Sequence, residues 1–126
     1  MDDTLRLALD QGHVIDITTI GRRTGQPRRI EIVFHNLDGR LVISGMPAPG
    51  RTRGWIHNLQ ADPQITLHFK GPLAHGDVEG TARIVSDPDE RRALLTGVAR
   101  NWNRTDLDAM VAHSPLIEVT VPGYPA

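Results

Sequence analysis

A small antiparallel β-barrel with helices packed around it is the fold class this sequence predicts. Three observations predict it. Short segments of alternating apolar and β-branched residues recur along the chain, and most are joined by turns of hairpin length. Helical segments are few and do not alternate regularly with the strands, which excludes a doubly wound parallel sheet. The hydrophobic fraction of 39%, with 12 glycines added, reaches the ~45–50% of globular domains. A length of 126 residues fits one domain spanning residues 1–126.

Residues 2–11 form the first predicted helix, with Leu5 and Leu9 on one face. Residues 13–20 (HVIDITTI) alternate as a strand. The segment 21–27 (GRRTGQP) is a connection, punctuated by glycines and a proline. A second strand runs from Arg29 with Ile30, Ile32 and Phe34 on one face, and Asp38-Gly39 turns it into a third over 41–44. A helix is expected from about Thr52 to Gln60, ending before Asp62-Pro63 because a residue preceding proline avoids the helical region. Residues 64–70 and 74–85 are two more strands. Asp87-Pro88-Asp89-Glu90 is a strong helix start: a cap, a proline at the first position, and Glu three residues after the cap. That helix runs to about Arg100, a short one covers about 105–112, and residues 116–121 form the sixth strand.

Composition narrows the function. Fourteen basic and 15 acidic residues give a net charge of −1, against a generic nucleic-acid binder. The absence of cysteine removes disulfides, thiolate metal sites and cysteine nucleophiles. The six histidines have no ligand spacing, so no metal site is expected. His35 and His68 read as half-buried polar residues on strands. No apolar run reaches the ~18 residues of a membrane span, and the acidic first residues do not form a signal peptide. A soluble cytoplasmic protein is the expectation. No nucleophile elbow, phosphate loop or dinucleotide fingerprint is present.

Two segments carry chemistry. Residues 21–29 (GRRTGQPRR) hold four arginines and no acid. Loop glycines let successive N–H groups face one anion, and guanidinium forks match phosphate and carboxylate. The plain alternative is a solvated hairpin. In the second segment, Arg51 and Arg53 sit where a helix begins, and free N–H groups at a helix start favour phosphate. Trp55 and Asn58, three apart, share a face: Trp55 is a candidate cover for an aromatic ring and Asn58 a hydrogen-bonding partner. The alternative makes Trp55 a core anchor and Asn58 a surface residue. Trp102 either closes a pocket over a planar ligand or packs on the barrel.

These residues resemble a known family. The runs ITTIGRRTGQPRRIEI, GRLVISG and GWIHNLQADPQI are similar to the deazaflavin-dependent nitroreductases over about residues 14–70; residues 71–121 fit in element order. The resemblance implies a mainly β, six-stranded antiparallel split barrel of the FMN-binding type, often a homodimer, that binds coenzyme F420. It implies that Arg22, Arg23, Thr24, Gly25 and Gln26, with Arg28 nearby, hold the coenzyme's phosphate and acidic tail. Ile43, Ser44 and Gly45 correspond to the strand end that contacts the deazaflavin, and Gly54, Trp55 and Asn58 to contacts at the helix start. The lysine that often follows the family's serine is missing, with Arg51 or Arg53 in place to carry its charge. The nitroreductase branch's C-terminal tyrosines are reduced to Tyr124.

The expected function is an F420-dependent oxidoreductase that passes a hydride to a planar acceptor: a quinone, an enone or a nitroaromatic. No side chain is singled out as catalytic, because solvent or a held water supplies the proton. The alternatives are the same barrel using FMN, or a non-catalytic protein that sequesters a cofactor.

Overall fold

A computed structural model describes residues 2–12, 14–71 and 75–125. Six antiparallel strands close a barrel in the order β1-β2-β3-β6-β5-β4, with four helices outside it. The antiparallel barrel with peripheral helices is therefore as expected, and the element boundaries show where local physics moves them.

Helix α1 (Asp3–Gln11) is capped by Asp2, whose carboxylate accepts from Thr4 N at 2.7 Å, and ends at Gly12 with φ of 71°. Strand β1 (Val14–Ile20) turns Ile15, Ile17 and Thr19 inward. The residues placed by sequence at two strand starts, His13 and Ala74, lie outside the described residues. Strand β2 (Pro27–Leu37) begins two residues earlier than expected, because Ile20 pairs with Pro27 and the ladder runs on into the arginine loop. Proline is tolerated at that first position, where no ladder donor is required. Asp38 and Gly39 both have positive φ, 53° and 91°, the two-residue turn that matches strand twist, and β3 (Arg40–Ser44) follows.

Helix α2 (Gly54–Ala61) starts two residues later than expected. Its cap position is Arg53, and no side chain caps it. Strands β4 (Gln64–Lys70) and β5 (His75–Ile84) form a hairpin. Helix α3 (Pro88–Trp102) has the expected start, with Glu90 N donating to Asp87 Oδ2 at 2.9 Å. It runs to Trp102, where Asn103 in the left-handed region ends it. Helix α4 (Leu107–His113) leads into β6 (Leu116–Thr120).

The barrel interior is filled by Ile15, Ile17, Phe34, Ile43, Leu67 and Ile117, none more than 1% exposed, with Phe34 and Phe69 edge to face at 5.9 Å. A second apolar cluster joins the outer wall to α3 and α4 through Val42, Leu95, Val98 and Met110. The closed wall fixes the two ends of β2. One end carries the arginine loop, and the start of α2 packs beside it.

Candidate functional site

The loop between β1 and β2 is tight. Gly21 N donates to Gln26 O and Gly25 N to Gly21 O, both at 2.8 Å, and Gln26 N donates to Thr24 Oγ1 at 3.2 Å. Two glycines are required here. Gly25 has φ of 69°, and a Cβ on Gly21 would meet Thr24 Oγ1 at 3.0 Å and Gln26 O at 3.1 Å. With its backbone folded on itself, the loop leaves Arg22, Arg23, Thr24, Gly25, Gln26 and Arg28 exposed.

Asn58 ties this loop to α2. Its Oδ1 accepts from both Arg22 N and Arg22 Nη1, each at 3.2 Å, and its Nδ2 donates to Thr19 Oγ1 at 3.0 Å. Asn58 is 6% exposed. It is therefore neither the surface residue of the plain alternative nor a free donor: these bonds brace Arg22 from below. Thr19 was missed by sequence reasoning. Its signal was there, a hydroxyl in register with inward-facing Ile15 and Ile17, yet its partner lies 39 residues away.

A cleft of about 600 Å³ opens above this brace. Arg22, Arg23, Arg28, Arg51 and Arg53 all line it, and no Asp, Glu or His does. Gly54 lines it too and offers open space where a side chain would stand. The uncapped start of α2 leaves its first N–H groups to solvent or to a ligand. Trp55 is a core anchor at 9% exposure, and it also lines the cleft.

Not all candidates come together there. Gly25 and Gln26 support the loop without lining the cleft. Ile43 is 1% exposed between β2 and β6, and Ser44 Oγ donates to Pro115 O at 2.7 Å, so both side chains are occupied inside the protein. Gly45 stands outside the lining but lets Arg53 approach: a Cβ there would be 3.6 Å from Arg53 Nη2 and 3.1 Å from Pro115 Cγ. Arg53 Nη2 donates to Met46 O at 2.7 Å, while Nη1 is buried without a partner.

The other candidates lie elsewhere. His35 and His68 are buried at 4% and 8%, more deeply than expected. His35 contacts Asn101 at 3.1 Å and the edge of Trp102, and burial lowers its pKa. His68 Nδ1 lies 2.8 Å from Asp77 Oδ1 and Nε2 lies 2.6 Å from Thr18 Oγ1, a chain across three strands on the outer wall. Trp102 packs on the second cluster, away from the cleft. Among the described residues no group of His, Asp and Glu is placed to hold a metal, and no helix is long and apolar enough to cross a membrane.

The model of a family described as F420H(2)-dependent quinone reductase matches residues 4–122. An F420H(2)-dependent quinone reductase of Mycobacterium tuberculosis (strain ATCC 25618 / H37Rv) is 33% identical over 89 residues, covering 68% of this chain and 57% of that protein. The chain thus spans a little over half the length of the curated relatives it matches. Among solved structures, a conserved hypothetical protein from Mycobacterium tuberculosis superposes with a TM-score of 0.74 at 18% identity, covering 98% of this chain and 82% of that one. An F420 reductase superposes at 0.68 with 19% identity, covering 94% of each chain. At such identities the structural likeness concerns the fold.

Proposed function

We infer the function from family and site together: the chain belongs to the F420H(2)-dependent quinone reductase family, and its arginine cleft suits that family's coenzyme. The protein acts as an oxidoreductase that uses reduced F420 to reduce a quinone-type acceptor. One observation carries the placement. Five arginines converge on one cleft with no carboxylate among its lining residues, in a protein whose net charge is −1. Like charges so gathered repel unless an anion joins them, and F420 brings a phosphate and an acidic tail.

Arg22, Arg23 and Arg28, with the folded backbone of Thr24, Gly25 and Gln26, hold that phosphate and tail. Trp55 and Gly54 give the planar ring a wall and a gap at the start of α2. Asn58 keeps Arg22 in place. Ile43 and Ser44 shape the strand end from within the core, and Gly45 makes room for Arg53. When bound, the reduced deazaflavin supplies the hydride; the protein supplies binding, orientation and a shielded surface. No His, Asp or Glu lines the cleft, so the accompanying proton comes from solvent. A homodimer belongs to this reading, with the partner closing the open side of the cleft. Sedimentation equilibrium at micromolar concentration should then give twice the mass of the chain, and the monomer mass would reject the dimer.

The experiment is a titration of the purified protein with F420 and with FMN, followed by turnover of reduced F420 with 2-methyl-1,4-naphthoquinone. F420 should bind more tightly than FMN, and reduced F420 should be oxidised only when the quinone is present. Tighter FMN binding points to the flavin alternative. Tight F420 binding without turnover on quinone, enone or nitroaromatic points to sequestration.

A further inference from the structure

We propose that Arg91 of α3 is a positioning residue for the coenzyme cleft: it clamps the end of α4, and the end of α4 holds the segment that presents Arg51 and Arg53. That the cleft takes the coenzyme rests on the function proposed above; the line of contacts stands on its own geometry. Arg91 does not line the cleft, so it acts only through what it holds.

The guanidinium of Arg91 is half-buried and donates to four backbone carbonyls. Nε meets Val111 O at 2.9 Å, Nη1 meets Val85 O at 3.0 Å, and Nη2 meets Ser114 O at 2.7 Å and Met110 O at 3.3 Å. All four acceptors are neutral, which is an unusual use of a charge that burial penalises. The arrangement has a local reason. A helix leaves its last four carbonyls without partners inside it, and a cation is favoured there. Met110 and Val111 are two of those four in α4. Helix α4 has only seven residues and no side-chain cap at its start, so it depends on such tertiary support.

The same helix end holds the segment between β3 and α2. Residues 45–53 form neither helix nor strand, so individual contacts set their path. Ala48 N donates to His113 O at 3.2 Å, taking a third carbonyl of the last turn. Ser44 Oγ donates to Pro115 O, and a Cβ on Gly45 would stand 3.1 Å from Pro115 Cγ. The segment then folds on itself, with Arg51 N donating to Ala48 O at 3.1 Å and Arg53 Nη2 to Met46 O at 2.7 Å. Its two arginines reach the cleft from there. The contacts therefore run from Arg91 through residues 110–115 to Ala48, and so to Arg51 and Arg53.

Arg91→Lys tests this, because it keeps the charge and loses the fork that spans several carbonyls. F420 titration should show about a tenfold loss of affinity. In a protein where Arg51 and Arg53 are both Gln, the same substitution should change affinity less than twofold, while the accompanying fall in melting temperature should appear in both backgrounds. Hydrogen exchange of the ligand-free protein supplies the second readout: residues 45–53 should exchange at least tenfold faster in Arg91→Lys, with β1 and β2 unchanged. Ala48→Pro, which removes the N–H bonded to His113, should reproduce the affinity loss with Arg91 intact, and it decides the matter if Arg91→Lys does not fold. Unchanged exchange over 45–53, unchanged F420 affinity, or an equal affinity loss in both backgrounds would overturn the proposal. If wild-type protein fails to bind F420 while exchange over 45–53 accelerates as expected, the coenzyme reading falls and the clamp on the segment stands.

Discussion

Arg22 and Arg23 are neighbours in sequence, yet only Arg22 is braced, through its backbone and its guanidinium, by Asn58. A charge-assisted contact contributes roughly 1.5–3 kcal/mol before screening. Arg22→Ala should therefore weaken F420 binding by about ten- to a hundredfold. Folding stability should change little, because the side chain is exposed. Asn58→Asp is the sharper variant. It keeps an acceptor for Arg22 but adds a negative charge beneath it, so F420 affinity should fall much as in Arg22→Ala while the chain stays folded. Fluorescence titration beside thermal unfolding checks both, and unchanged affinity in Asn58→Asp would show that a charge beneath Arg22 does not reach the bound coenzyme. The same residue shows what sequence could and could not tell. The three-residue spacing put Trp55 and Asn58 on one helix face, and both line the cleft, whereas Thr19, which completes the brace, comes from a strand 39 residues away that only the closed barrel brings alongside.

At the scale of elements, boundaries were legible where capping chemistry is local. Asp87-Pro88-Asp89-Glu90 begins α3 as read, and Asp87→Ala should cost about 1 kcal/mol, measured by denaturant unfolding. They were less legible where tertiary pairing overrides propensity. Strand β2 gains Pro27 and Arg28 from its ladder with β1, and α2 begins two residues late, at an Arg53 cap position that no side chain caps. Helix α3 also meets the barrel wall through charge. Arg83 and Arg40 both bond Glu90, and both also bond Glu118 of β6. Hydrogen bonds first from Arg83 and then from Arg40 pull the Glu90 pKa from an ordinary 4.5 to about 2. A carboxylate lowered in the folded state stabilises it fully above the unfolded value, and that contribution is lost as pH falls from about 4.5 through about 2. Stability should therefore decline over that interval, and Glu90→Gln should flatten the decline while lowering stability at neutral pH. A Glu90→Gln protein with the wild-type acid profile would show that the network contributes nothing measurable.

Across the whole molecule the balanced composition conceals a strongly uneven charge distribution. Net charge is −1, yet the arginine cleft holds five guanidinium groups and no acid among its lining residues. Several acids are engaged elsewhere, as Asp16 and Glu31 are with Lys70, and Glu90 and Glu118 are with Arg40 and Arg83. Sequence revealed the run of arginines but not this segregation, which depends on where the strands carry the carboxylates. It has a consequence for binding. Because Arg22, Arg23 and Arg28 face solvent, their attraction for an anion is screened over ~8–10 Å at physiological ionic strength. F420 affinity should fall steadily as salt rises, and FMN, with a single phosphate and no acidic tail, should show a shallower dependence. Replacing both Arg22 and Arg23 with Gln should bring the F420 salt dependence towards that of FMN. Trp55→Phe, which trims ring contact and changes no charge, should lower affinity without altering the salt dependence. Isothermal titration across a salt series separates these cases, and an F420 affinity indifferent to salt would mean that the coenzyme's anionic groups do not meet the arginine loop.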